Sequence, residues 1–165
     1  MLAKVKKEDT GLLYWTVAGG LSAYSIDILD FDLSALIPNW SAMIHRAYEL
    51  DPDYGGAALD EFFIIFYSSL PAAMGGDAEK AEIHFRRALQ KNSNSAGAYV
   101  SYAQLVCIPA EDYETFCECL ESAIAIDPDI DKSNRLVNTI NQRKARWLLD
   151  NAWMHFHFLP IPDYY

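Results

Sequence analysis

The chain has 165 residues, with 13 Lys and Arg against 23 Asp and Glu, so its formal charge is −10 at pH 7. That length suits one domain able to bury most of its apolar surface, and 52% apolar with 22% charged residues excludes a disordered chain. The acidic balance argues against a nucleic-acid binder, which needs a basic stripe to displace phosphate counterions, and no apolar run approaches the roughly 20 residues of a membrane span.

The opening, MLAKVKKEDT, puts charges where a signal peptide has its apolar stretch, and no lipid-anchor cysteine follows it. From there apolar spacing is helical almost throughout, and no hairpin dipeptide of the Asn-Gly or Asp-Gly kind occurs. Seven helices are expected. The first covers about 9–25, with Leu12, Leu13, Trp15, Val17 and Leu21, and its Gly19-Gly20 pair would let a neighbouring helix approach. Asp27–Asp32 is an acidic, apolar connector. The second helix runs about 38–50 and opens on Pro38, where a missing N–H costs nothing. The third covers about 54–69 and ends before Pro71. Met74-Gly75-Gly76 is a loop, and Asp77 caps the fourth helix at about 78–91. The fifth spans about 95–107, the sixth about 111–126 and the seventh about 132–153, each stopped by a nearby proline. One helical domain over 9–153 and an aromatic, proline-containing tail over 154–165 follow from this reading.

Three segments align: Arg46-Ala47 through Pro52, Arg87-Ala88 through Ser93, and Ser122-Ala123 through Pro128. Their intervals, 88 − 47 = 41 and 123 − 88 = 35, fit a helix-pair repeat of about 34 residues with an insertion in the loop at Leu70–Gly76. Ala81 and Phe85 form the small–aromatic pair that closes paired helices of tetratricopeptide (TPR) type. A lone helix hairpin cannot bury its apolar face, so neighbours must stack. The expected fold is all-α: antiparallel helix pairs stacked in a TPR-like superhelical array. In such arrays the first helix of each pair lines the inner groove. That puts Phe63, Phe66 and Tyr67, then Val100 and Gln104, at a partner or ligand groove, although a run such as Phe62–Tyr67, apolar on every face, reads first as core.

Chemistry-bearing patterns are sparse. Cys117-x-Cys119 is too close for a zinc knuckle and has no second pair, so these and Cys107 read as buried or half-buried thiols. His155-x-His157 lies in the tail with Asp163 nearby, a weak metal pattern beside the plainer reading of a tail that packs back. His45 and His84 each stand beside an arginine and read as surface or capping groups. Asp127-Pro-Asp129-Ile-Asp131 lacks the Gly and the closing Glu of a calcium loop, so its acids read as helix caps. Asn138–Lys144 is polar nearly all round and reads as a solvated outer helix, or else as a polar wall facing a pore or partner. No catalytic residue, metal site or cofactor is assigned.

Several strings resemble the T-component family of tripartite ATP-independent periplasmic (TRAP) transporters, the TatT-like proteins. They are Tyr14-Trp15 with Gly19-Gly20, Arg46 through Tyr54, Leu70-Pro71 with Gly75-Gly76-Asp77 and Glu79-Lys80-Ala81, His84-Phe85-x-Arg87-Ala88-Leu89, and Arg135-Leu136…Trp147-Leu148-Leu149. The resemblance covers about 12–153. It implies a non-enzymatic accessory protein, a homotrimer in the periplasm that meets the transporter's solute-binding receptor, whose cargo is a hydrophobic or organic-acid solute. The N-terminus departs from the family in having no signal peptide or lipid-anchor cysteine, so either the sequence is truncated or this member is a shortened cytoplasmic relative. The alternative function is a general TPR-type adaptor that binds a peptide in its groove.

Overall fold

The structure, a computed structural model, describes residues 2–161. Among them are seven α-helices and no strand: α1 Thr10–Ile26, α2 Phe31–Leu50, α3 Ala58–Ser69, α4 Ala78–Lys91, α5 Ala96–Tyr102, α6 Tyr113–Ala125 and α7 Arg135–Asp150. The chain forms two compact units, residues 1–59 and 60–165, divided inside the third helix of the single domain expected over 9–153. None of the described helices is long and apolar enough to cross a membrane.

The first unit is built on the α1–α2 hairpin. α1 carries no charged side chain and buries Leu13 and Val17. Of its two glycines only Gly20 is needed for close approach: a Cβ there would stand 2.5 Å from Cε2 of Trp40, whereas Gly19 faces open space. α2 corrects the expected boundary. It starts at Phe31, seven residues before Pro38, because Asp30 caps it by accepting from the N–H groups of Asp32 and Leu33 at 2.9 and 3.0 Å. Pro38 therefore lies inside the helix, where it forfeits one i→i−4 bond. The third helix also starts later than the expected 54. Gly55 and Gly56, at φ 62° and 71°, hold the preceding turn in left-handed backbone, which ends any helical path through them.

The second unit is a run of packed neighbours: α4 on α5, α5 on α6 and α7, and α6 on α7. The loop before α4 explains its glycines. Gly75 takes φ 103°, and a Cβ on Gly76 would fall 1.7 Å from the Leu70 carbonyl oxygen. Asp77 then caps α4 by accepting from the Lys80 N–H at 3.1 Å. Of the aligned alanines, Ala88 on α4 and Ala123 on α6 are fully buried, as Ala47 is on α2 in the first unit. A small residue thus sits on the second helix of each pair, where backbones close. α5 ends in a π-helical turn, Ala103–Cys107, with Ile108 N–H donating to the Ala103 carbonyl at 3.2 Å.

α7 overturns the expectation of a solvated helix at two positions. Asn138 and Gln142 are buried, with Ala145 and Leu148, on the face that meets α5 and α6. Asn138 Oδ1 accepts from Ala96 N–H at 3.0 Å and its Nδ2 donates to the Asn94 carbonyl at 2.8 Å. Gln142 Nε2 donates toward the carbonyls of Ala123, Ile124 and Ile126, the nearest at 2.6 Å. These two amides join α7 to the start of α5 and the end of α6, satisfying backbone groups that helix termini leave open. The tail packs back as expected: Phe156 is 1% exposed, with ring centroids 5.0 Å from Phe116 and 5.1 Å from Tyr113. Pro162 and Asp163 lie outside the described residues.

Candidate functional site

Beneath the second unit's surface lies a buried charge cluster. Asp60, wholly buried, has Oδ1 2.7 Å from His84 Nδ1 and Oδ2 2.8 Å from Lys91 Nζ. The His84 ring stacks on Phe63 at 4.6 Å and on Tyr67 at 5.7 Å. So His84, expected at the surface, is a core side chain, because α4 turns it inward with Ala81, Phe85 and Ala88. His45 is exposed, with Nδ1 2.7 Å from the Ser41 carbonyl.

Three of the groove residues expected from the repeat phase come together. Phe63, Phe66 and Tyr67 form one aromatic cluster, with centroids 5.4 to 6.0 Å apart. All three are buried, as is Val100 on α5, and Gln104 is half-buried. The aromatics thus lie beneath the surface, and Gln104 is the most exposed of the five expected residues.

A polar floor that sequence reasoning missed converges at Gly97. A Cβ at Gly97 would lie 3.4 Å from Asn141 Nδ2, 3.6 Å from Glu61 Oε2 and 3.7 Å from Ser95 Oγ. One polar group each from α3, the start of α5 and α7 therefore meets over a glycine that leaves them room. Burial raises the Glu61 carboxyl above its ordinary 4.5, and a hydrogen bond with Ser95 opposes part of that rise. Because the native value is raised, the stability Glu61 contributes is fully present below 4.5 and is lost as pH rises through the native value. Glu61→Gln is expected to melt higher than the parent at pH 7, with the gap closing near about pH 4. Thermal melts at the two pH values check this, and equal gaps would refute it. The missed signal was a pair of carboxylates, Asp60-Glu61, directly ahead of an all-apolar run.

The remaining patterns are structural. Asp127 and Asp131 each accept from an N–H two residues on, at 2.9 Å, closing turns and not capping α7, whose N-cap is Asn134. Cys107 and Cys119 are buried and Cys117 is half-buried, and all three are free thiols. Cys119 pairs across to Cys107 in a thiol–thiol hydrogen bond, which, with burial, pushes the Cys107 thiol up. Among the described residues no three His, Cys, Asp or Glu gather as metal ligands. In the first unit an open cleft of about 510 Å³ is lined by Leu2, Ala3, Ala42, His45, Arg46 and Glu49, where Arg46 and Glu49 pair at 3.0 Å.

Helix pairs packed side by side, with a small polar floor among the first helices, define an all-α stacked-hairpin protein. Comparison with known families gives the particular kind. The TRAP transporter T-component family matches residues 1–156, and the chain belongs to that family. An uncharacterized protein of Treponema pallidum (strain Nichols) is 31% identical over 149 residues, which is 90% of this chain and 46% of that protein. The chain thus spans about half the length of this curated relative.

Proposed function

We propose that this chain is a non-enzymatic accessory component of a TRAP transporter, acting in the periplasm as a homotrimer. It binds the transporter's solute-binding receptor and a hydrophobic or organic-acid solute. The observation that carries this reading is the family match across almost the whole chain, residues 1–156. The second unit supports it with two features of α3: Glu61 meets Ser95 and Asn141 at a glycine on α5, and Phe63, Phe66 and Tyr67 form an aromatic cluster on another face of the same helix. Such a mixture of apolar wall and few polar groups suits recognition. Val100 is buried on α5, and Gln104, half-buried in the π-helical turn that follows, is the side chain a partner would touch.

The test is co-purification with the solute receptor encoded beside it, with and without the receptor's solute. Retention of the receptor, weakened by Gln104→Glu, is the expected result. A receptor that fails to bind at concentrations up to about 100 µM, well above the micromolar range of transient complexes, would refute the reading.

A further inference from the structure

Two exposed apolar surfaces have no cover among the described residues, and they carry opposite charge. The first is the turn between α1 and α2. Ile26, Ile28, Leu29 and Phe31 are 87%, 65%, 77% and 86% exposed. Asp27 and Asp30 shape this turn by accepting backbone N–H bonds, and with Asp32 they give it three carboxylates. The second is the outward face of α7. Leu136, Val137, Ile140 and Trp147 are 71%, 51%, 56% and 53% exposed. At 100° per residue, Leu136, Ile140, Arg143 and Trp147 fall in one stripe, with Lys144 on one flank and Arg146 on the other. No carboxylate occurs from Lys132 to Leu149. Arg135 is taken by Asp129 at 2.9 Å, while Arg143, Lys144 and Arg146 have no carboxylate within 4 Å among the described residues.

α7 is therefore partly inverted: Asn138 and Gln142 are buried and hydrogen-bonded beside Ala145 and Leu148, while Leu136, Val137, Ile140 and Trp147 face out. An end helix of a stacked array needs a polar outer face unless something covers it. We propose that the acidic, apolar α1–α2 turn of one molecule docks on the basic, apolar α7 face of a second copy of this chain. The occupant follows from charge. Turn against turn would oppose two sets of three carboxylates, and face against face two sets of three cations, whereas turn against face pairs them. The two surfaces differ, so the contact is head-to-tail and propagates into a ring or a filament. This inference rests on the homo-oligomer part of the proposed function and names the surfaces that would build it. One turn on one helix face sits at the small end of specific interfaces, so association is expected at micromolar concentrations.

The experiment is sedimentation of the full chain from about 1 to about 100 µM, a range that brackets micromolar affinity. A turn variant, I28S/F31S, and a face variant, I140E/W147E, are compared with the parent, and thermal melts confirm that both stay folded. The parent is expected to self-associate, and each variant alone to do so at least about tenfold more weakly, a loss of about 1.4 kcal/mol. Mixed in equal parts, the variants should form a one-to-one dimer and nothing larger, because the mixture holds one intact turn and one intact face. A parent that stays monomeric overturns both this inference and the homo-oligomer reading. An associating parent whose variants associate equally well, or lose association without recovery on mixing, overturns the inference alone.

Discussion

Replacing Asp60 with Ala is expected to cost about 3 kcal/mol of stability, because it strips a buried charge pair of its anion. For a chain of this size that lowers the melting temperature by on the order of 10 °C. Asp60 is wholly buried, and both its oxygens are engaged, one with His84 and one with Lys91. Lys91, whose side chain is 25% exposed, can turn toward water once its partner is gone. His84 cannot, because its ring is stacked on Phe63 and Tyr67. Most of the loss is therefore assigned to the His84 Nδ1 contact, since a buried polar group without a partner forfeits its full solvation. A double-mutant cycle checks this. Asp60→Ala in a His84→Phe background should cost less than in the parent, with a coupling on the order of 1–3 kcal/mol. Additive effects would show that the two residues act independently.

The same cluster shows how far the sequence could be read. The fold class was legible because period and punctuation agree: α4 matches its expected range of 78–91, with the Asp77 cap and the buried face of Ala81, Phe85 and Ala88 all in place. The start of α2 was not, because two signals competed. Pro38 is a strong opening signal, but Asp30 caps the helix eight residues earlier and the stretch between is helical enough to continue. Side-chain roles that depend on long-range partners were also hidden. His84 meets Asp60 across 24 residues of sequence, and Asn138 meets Asn94 and Ala96 across more than 40, so no local pattern shows either pairing. Polarity misled at α7, where composition says surface but hydrogen bonding to open helix ends puts Asn138 and Gln142 inside. Of the candidate site, the aromatic cluster of Phe63, Phe66 and Tyr67 and its burial were legible from the apolar run, but the polar contacts of Glu61 were not. Those depend on which neighbour packs against which helix.

Asn138→Ala is expected to cost about 2–4 kcal/mol, because it orphans a buried backbone N–H and a part-buried carbonyl at once. Ala96 N–H opens α5 and has the Asn138 oxygen as acceptor at 3.0 Å, while the Asn94 carbonyl receives the amide nitrogen at 2.8 Å. One side chain thus supplies a donor and an acceptor in fixed geometry, which no apolar residue of similar size can replace. Asn138→Leu separates this cause from simple loss of volume. If the cost came from an empty space, leucine would recover much of it; because the cost comes from unpaired backbone, leucine should be no better than alanine. Asn138→Asp should also fail, since its second oxygen would face the Asn94 carbonyl and its charge would lie buried. Urea unfolding gives the energies, and exchange of the Ala96 amide hydrogen gives the location: it should be protected in the parent and speed up in all three variants. A leucine variant as stable as the parent, or an Ala96 amide whose exchange does not change, would show that α7 is held by its apolar contacts through Ala145 and Leu148 and not by the Asn138 bridge.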